Sequence, residues 1–358
     1  MATTLNIALV FGGRSVEHDV SVMSAKNIAS YADSEKFNLI PFGVSKSGKW
    51  FILDKVSSQI EDGKPVDLIL DANNPIFRTP QEEISIDAAF IILHGTDGED
   101  GSIQGLFRTM RIPYVGSDIL GSSLAMNKIT AKKMLLQNNI PTAKSLFGYK
   151  STSTPLFSDV VDQLGIPVIV KPANLGSSVG VSKVKNEQEY QAAIELAFNY
   201  DSSLLIEEFV EGRELECAII GNEDAKASPP GEVELNNAYE FYSFDAKYVD
   251  GDASTLHIPA NLDESTSELV KKLSLKSYKA LGCKDLSRVD LFLKSNGDVI
   301  VNEINTLPGF TNISMYPKLC ELMGVTYKDL ITQLITMAMK RSIKEKELET
   351  EFLSGLSE

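Results

Sequence analysis

The stretch Ser287-Arg288-Val289-Asp290-Leu291-Phe292, followed by Ser295-Asn296-Gly297-Asp298 and then Val299-Ile300-Val301-Asn302-Glu303-Ile304-Asn305, decides how the chain is built. It reads as a two-stranded hairpin. Asn-Gly between alternating apolar residues is the pattern of a type I′ turn, which pairs Ser295 with Asp298. Counting back from that pair sets Asp290 opposite Glu303 and Arg288 opposite Asn305. The period of two puts all four on one sheet face, with Phe292 and Val301 alongside. Carboxylates directly across a ladder repel, so a cation is expected between Asp290 and Glu303. Two carboxylates and an Asn carbonyl form an oxygen-only set suited to Mg²⁺ or Mn²⁺, and Mg²⁺ held this way completes its shell with waters and substrate phosphates. The hairpin therefore predicts a nucleotide site. The competing account is a solvated sheet face on which Arg288 neutralises both acids.

At 358 residues and 43% hydrophobic content, the chain is long enough for two or three globular domains with ordinary cores. Its net charge of -15 argues against a nucleic-acid or anionic-membrane partner, so an anionic substrate needs a local basic pocket. Cys217, Cys283 and Cys320 lack metal-type or redox-type spacing and are odd in number, which predicts reduced core thiols and a cytosolic compartment. The segment Leu5-Asn6-Ile7-Ala8-Leu9-Val10-Phe11 reads as a buried strand without a basic leader, and no apolar stretch approaches spanning length. The expectation is a protein neither exported nor membrane-bound.

Residues 1–125 alternate apolar strands, at 7–11, 39–44, 88–93 and 112–115, with helix-like segments, which predicts an open parallel α/β domain. The first strand runs into Phe11-Gly12-Gly13-Arg14-Ser15-Val16-Glu17-His18, a glycine turn at the carboxyl edge of the sheet, with Ser15 placed to cap the next helix. His94-Gly95-Thr96-Asp97-Gly98-Glu99-Asp100-Gly101 occupies the equivalent position after a second strand. Its density of glycines and acids suits a ligand-facing loop or a tight surface connection, and His94 suits a structural hydrogen bond as well as a reactive role.

Residues 126–139 have helical periodicity, and 167–172 read as a strand ending in Lys171. Ala173-Asn174-Leu175-Gly176-Ser177-Ser178-Val179-Gly180 is a small-residue loop whose backbone N–H groups can approach phosphates, with Lys171 as a point charge. It lacks Walker A spacing. Residues 204–214 read as a strand ending in acidic residues, Glu207, Glu208, Glu211 and Glu214, which suit ribose or amine hydrogen bonds or a solvated turn. The long connection 229–259 is rich in aromatics, which predicts an ordered closing lid. Residues 262–281 and 316–349 read as helices, the second ending in a solvated charge run.

Taken together, these stretches resemble the D-alanine:D-alanine ligase family of the ATP-grasp superfamily over residues 11–317. The motifs in the family's order are Phe11 through Ser21, His94 through Gly101 with Gln104-Gly105, Lys171-Pro172 with Gly176-Ser177-Ser178-Val179-Gly180, and Asn302-Glu303-Ile304-Asn305-Thr306-Leu307-Pro308-Gly309. Asn127 before Lys128 departs from the Asp-Lys usual in the family, with an expected change in local hydrogen bonding. The resemblance implies an α/β and α+β three-domain ATP-grasp architecture. Residues 1–125 form the N-terminal open parallel α/β substrate domain, 126–215 the central subdomain, and 216–358 the C-terminal subdomain with the lid and metal hairpin. ATP is expected between two antiparallel sheets, and the amino acids between the N- and C-terminal domains.

The resemblance further implies amide formation between two D-alanines through an acylphosphate, for peptidoglycan precursor synthesis. Two Mg²⁺ or Mn²⁺ ions are expected on Asp290, Glu303 and Asn305. Lys128, Lys171 and Lys247 are expected on the phosphates, with Ser178, Phe209 and Val210 beside the nucleotide and Glu207 and Glu214 at its adenine and ribose ends. Arg288 and the Gly309 N–H are expected to stabilise the oxyanion. Glu17 receives the first ammonium, Ser314 the second carboxylate, and His94 and Met315 line the substrate site. Ser177 and Tyr248 would join Glu17 in fastening the lid, which keeps water from the acylphosphate. A homodimer is expected on the same ground. The alternatives are a D-alanine:D-lactate or D-alanine:D-serine ligase, against which Tyr248 counts, and a non-catalytic ATP-binding protein.

Overall fold

The computed structural model describes residues 4–236 and 254–348; Lys247 and Tyr248 of the expected lid lie outside them. The uninterrupted apolar run at 7–11 leaves no polar face, so it forms a strand covered on both sides, β1 (Leu5–Gly12). Helix α1 (His18–Tyr31) returns the chain to β2 (Phe37–Val44), which pairs parallel with β1. The expected alternation of strand and helix then stops. Between 45 and 87, turn signals at Ser47-Gly48, Asp62-Gly63, Lys64-Pro65, Asn74-Pro75 and Thr79-Pro80 recur too often for a helix. The chain instead adds β3 (Trp50–Ile52) and β4 (Lys64–Pro65) antiparallel beside β2, and folds β5 (Asp67–Ile69), β6 (Ile76–Arg78) and β7 (Glu83–Ile84) into a separate small sheet. Strand β8 (Ala88–Ile91) lies parallel on the other side of β1, giving the order β4-β3-β2-β1-β8. The strand expected at 112–115 is reduced to one parallel bridge, Ala89 to Tyr114, ahead of which runs α2 (Ser102–Thr109).

After α3 (Ile119–Met126) and α4 (Lys128–Gln137) come β9 (Ser145–Tyr149), α5 (Phe157–Leu164), β10 (Val168–Pro172), β11 (Ser182–Val184), α6 (Glu187–Tyr200) and β12 (Ser203–Glu208). Their strands form an antiparallel sheet in the order β11-β10-β12-β9. A further antiparallel sheet holds β13 (Gly212–Ile220), β14 (Lys226–Ala227), β15 (Gly231–Leu235), β16 (Ser254–His257), β17 (Leu286–Lys294) and β18 (Val299–Asn305). The long connection expected as a lid thus begins and ends in the paired strands β15 and β16. Helix α7 (Glu264–Ala280) covers this sheet, packing Val270 and Leu273 on Leu215, Cys217, Val289 and Val301.

The single helix expected at 316–349 is two, α8 (Met315–Glu321) and α9 (Tyr327–Lys346), because Gly324 between them takes a left-handed φ of +78°. Helix α9 carries Leu330, Leu334 and Ile335 into the core under β1, against Ile7, Leu9 and Phe11, and the same core reaches Ala218 and Ile220 of β13. Arg341 fastens the helix by donating to Tyr114 O at 2.7 Å and Gly116 O at 2.9 Å. The three cysteines are buried and free; burial pushes the Cys217 thiol up to about 11 and those of Cys283 and Cys320 up to about 12.

The deciding hairpin has the expected pairs and a different turn. Asp290 stands opposite Glu303 and Arg288 opposite Asn305, yet beyond them Leu291 pairs with Val301 and Phe292 with Ile300. Lys294 N–H bonds Asp298 O, so the loop is Ser295-Asn296-Gly297, with only Gly297 left-handed (φ +88°). That is the three-residue turn with a G1 bulge rather than type I′, which needs positive φ at Asn296 as well. The turn displaces the register by one residue, and a β-bulge at Asn302 restores it. Val301, expected beside the acids, is consequently fully buried in the core.

Candidate active site

The two antiparallel sheets face each other across a cavity of about 280 Å³. Ile169, Lys171 and Glu207 line it from one sheet, and Glu214, Asp290 and Phe292 from the other. Phe209 and Val210, on the link from β12 to β13, close one end, and Lys183 covers the Phe209 ring at 3.9 Å. Gly176, Ser177 and Ser178 close the other. Ser177 and Ser178 have left-handed φ values of +51° and +58°, a backbone conformation uncommon outside glycine that curls the loop tightly here.

The loop is held from below by α4. Asn127 caps that helix by accepting from Thr130 N–H at 2.8 Å, and its Nδ2 donates to Asn174 Oδ1 at 2.6 Å. The departure at 127 therefore replaces a carboxylate by a group that caps the helix and grips the loop at once. Lys128 Nζ donates to Leu175 O at 2.7 Å and lies 3.5 Å from Glu303 Oε2.

Glu207, which lines the cavity, is also tied on its buried side. Its carboxylate is gripped by Lys171 and by Lys132, whose Nζ is 2.5 Å from Oε1 and also donates to Ala143 O at 2.8 Å. Burial pushes the Glu207 carboxyl up, but the two ammonium groups outweigh it and hold its pKa below the usual range. Burial likewise disfavours charge on Lys171, yet Glu207 and Glu303 raise its pKa above the ordinary lysine value. In Lys132 burial wins and the pKa is lowered. Asn302, the bulged residue, accepts from Lys171 Nζ at 3.4 Å.

A second cavity of about 360 Å³ adjoins the first, and the two share Gly176, Ser177, Glu216 and Glu303. Both glycine loops of the N-terminal sheet reach it. Arg14 makes a two-point ion pair with Asp97, at 2.7 and 2.9 Å, which locks the loops together. Gly95 has φ +74°, and a side chain there would sit against Ser15 Oγ and Glu17 Oε2. Ser15 Oγ accepts from Glu17 N–H at 3.1 Å, one turn before α1 begins. Ser177 Oγ donates to Glu17 Oε1, joining the phosphate-type loop to the N-terminal sheet. His94 is a buried tie: Nδ1 donates to Leu307 O at 3.0 Å, and Nε2 accepts from Ser24 Oγ at 3.0 Å. On the far wall Ser314 Oγ accepts from Thr311 N–H at 3.0 Å, and a Cβ on Gly309 would stand 2.7 Å from that oxygen. Met315 lies buried beside them.

Where the cavities meet, Glu216, Asp290 and Glu303 form a row across β13, β17 and β18. Arg288 donates from Nε and Nη2 to the two oxygens of Asp290, both at 2.7 Å, and its Nε is 3.1 Å from Glu216 Oε2. Asn305 Nδ2 donates to Asp290 Oδ2 at 3.0 Å. The neutralising role weighed for Arg288 is thus real on the Asp290 side, while Glu303 turns to Lys128. Asp290, Glu303 and Asn305 stand on neighbouring ladder positions, an oxygen-bearing set whose chemistry suits a hard divalent cation once the Asn305 amide turns to present Oδ1 instead of Nδ2, although among the described residues no three His, Cys, Asp or Glu side chains already converge on a metal position. The structure gathers every expected site residue it describes around these two cavities. Three others were missed. Glu216 was signalled as an acid inside the apolar strand Leu215 to Ile219, Lys132 by its four-residue spacing from Lys128, and Asn302 by nothing short of the bulge itself.

Two antiparallel sheets closed over a lysine-lined cavity, with carboxylates on its floor, define an ATP-grasp ligase. The chain belongs to the D-alanine–D-alanine ligase family. Residues 6–117 match the family model of the D-ala D-ala ligase N-terminus and residues 146–336 that of the C-terminus. The D-alanine–D-alanine ligase of Shouchella clausii is 44% identical over 359 residues, covering 96% of this chain and 97% of the relative. D-alanine–D-alanine ligase A of Salmonella typhimurium is 40% identical, covering 97% and 99%. Among solved structures, the D-alanine–D-alanine ligase of Coxiella burnetii superposes with a TM-score of 0.87 at 33% identity over 97% of each chain. The VanG D-Ala:D-Ser ligase of Enterococcus faecalis gives 0.85 at 33% identity, covering 94% of this chain and all of its own.

Proposed function

We propose that this chain joins two D-alanines into D-alanyl-D-alanine at the expense of ATP, for peptidoglycan precursor synthesis. The observation that carries the proposal is the sharing of Glu303 and Ser177 by the nucleotide-type and amino-acid-type cavities, which brings a phosphoryl donor and a carboxylate acceptor to one ladder. A carboxylate is a poor acyl donor because its leaving group would be oxide. Transfer of the γ-phosphoryl group to a carboxylate oxygen, with release of ADP, gives an acylphosphate. The amine of the second amino acid then attacks the carbonyl carbon, the C–O bond to phosphate breaks, and the amine gives up a proton.

In this reading Glu17 holds the first ammonium, Ser314 binds the second carboxylate, and Lys128 and Lys171 carry the phosphates. Phe209, Val210, Glu207 and Glu214 border the base and ribose, and Lys247, Tyr248 and Ser177 close the lid. Arg288 and the Gly309 N–H receive the developing oxyanion. Asp290, Glu303 and Asn305 would hold two Mg²⁺ or Mn²⁺ ions, which supply charge neutralisation at the phosphates. The proposed division of the chain is 1–125, 126–215 and 216–358, the second boundary falling inside β13. The proposed assembly is a homodimer in the cytoplasm; among the described residues no helix is long and apolar enough to cross a membrane.

The test is phosphate release from ATP and Mg²⁺ with D-alanine alone, then with D-lactate or D-serine added, with products weighed by mass spectrometry. D-Alanyl-D-alanine formation, lost in Glu303→Gln, supports the proposal. A mixed product moves it to the related ligases, with which the fold is shared, and no turnover returns it to a binding protein.

A further inference from the structure

Glu216 is a costly residue where it stands. It lies in the middle of β13 between Leu215 and Cys217, both in the core under α7, and is itself only 6% exposed. A carboxylate this buried is tolerated when a cation answers it. The cation is Arg288, whose Nε is 3.1 Å away, and the register explains the approach: Glu216 pairs across the ladder with Asp290, and Ala218 pairs with Arg288. The small side chain of Ala218 leaves the guanidinium free to lean diagonally between the two acids.

One guanidinium is therefore shared by two carboxylates, and they do not have equal claims on it. Asp290 takes the fork of Nε and Nη2. Asp290 is also the carboxylate with a second duty, since it belongs to the proposed divalent-cation set. A carboxylate that turns its lone pairs to a divalent ion loses most of its hold on a neighbouring guanidinium, and the ion itself repels that guanidinium. Glu216 remains. It lines both cavities, so a guanidinium held at its Nε by Glu216 keeps its outer N–H groups at the junction where the acyl group must sit.

We propose that Glu216 is a positioning residue for Arg288: it retains the guanidinium when Asp290 is engaged elsewhere and aims it at the reacting carbonyl oxygen. The inference rests on the ligase reading of Arg288. The proposed effect runs through Arg288, so it should be visible as coupling between the two residues.

The experiment is a kinetic double-mutant cycle of Glu216→Gln and Arg288→Lys, with thermal midpoints measured alongside and the Arg288 Nε–H signal followed by nitrogen NMR. Glu216→Gln should lower kcat about 10- to 100-fold, in the range seen when a partner that orients a reacting group is removed, with the KM of ATP and D-alanine little changed. In the Arg288→Lys background the same substitution should cost less than about threefold. With Mg²⁺ and a non-hydrolysable ATP analogue bound, the Arg288 Nε–H should stay protected from solvent exchange in the wild type and lose that protection in Glu216→Gln. Equal losses in both backgrounds, or an Nε–H indifferent to Glu216, overturn the proposal. Absence of dipeptide in the wild type would instead count against the ligase reading, and the Nε–H measurement would still judge Glu216.

Discussion

Lys132 Nζ lies 2.5 Å from Glu207 Oε1, and water scarcely reaches either side chain. Lys171 holds the other oxygen of the same carboxylate, so a buried acid is answered by two lysines, only one of which faces the nucleotide cavity. Lys132→Met leaves Glu207 with Lys171 alone and binds that lysine more tightly to it. The expected result is a loss of about 3 kcal/mol in stability, read from denaturant unfolding, and a raised KM for ATP.

The same carboxylate predicts an acid limb. The Glu207 pKa is lower in the folded chain than in the unfolded one, so its stabilisation is complete above the unfolded value of about 4.3 and is lost as pH falls through the folded value. Thermal midpoints measured from about pH 7 down to about pH 3 should fall less steeply in Glu207→Gln than in the wild type.

Gly95 is where the two loops of the N-terminal sheet touch. An alanine there must adopt φ +74° and push on Ser15 and Glu17. Gly95→Ala should cost about 1 kcal/mol of stability and lower kcat/KM for D-alanine about tenfold or more. Calorimetric affinity for ATP, whose cavity lies on the other side of Ser177, should be unchanged; equal losses for both substrates would refute this assignment.

Asn127 bears on the family's usual aspartate. Asn127→Ala removes both the cap and the Asn174 contact and should destabilise by about 2 kcal/mol, roughly one from each. Asn127→Asp keeps the cap but sets an oxygen against Asn174 Oδ1, whose amide cannot turn because Nδ2 is bound to Asp201 at 2.9 Å. Its cost should fall between wild type and alanine in urea unfolding, and a stabilised variant would contradict the geometry.

Burial raises the thiols of Cys217, Cys283 and Cys320 to about 11, 12 and 12, which leaves almost no thiolate at neutral pH. A colourimetric thiol reagent should titrate none of the three described thiols until denaturant is added, and then all three together.

The glycine loops after strands, Lys171 at a strand end and the facing pair Asp290 and Glu303 were legible because their chemistry is local, whereas Glu17, Lys128, Ser314 and Met315 were expected only from the family resemblance. Asp290 and Glu303 were placed opposite each other by a turn that does not form, and the pairing survived because the bulge at Asn302 undoes the turn's displacement. Val301 paid for that coincidence. Long-range choices left fainter marks. The Ser47-Gly48 turn marks the hairpin from β2 to β3, but nothing within residues 45–87 tells that β5, β6 and β7 leave for a separate sheet, and nothing in Lys132 tells that it reaches Glu207, since both depend on how separate segments meet. Gly324 was a visible helix breaker that the strong apolar period on either side obscured.

The core beneath β1 is completed by Leu330, Leu334 and Ile335, which the ribosome delivers long after β1 itself. Strand β1 thus waits for its full cover until α9 has been made. Until then that face of the N-terminal sheet is an apolar surface without its covering helix, the kind of surface on which incompletely folded chains associate, and a chain terminated before Tyr327 never buries it.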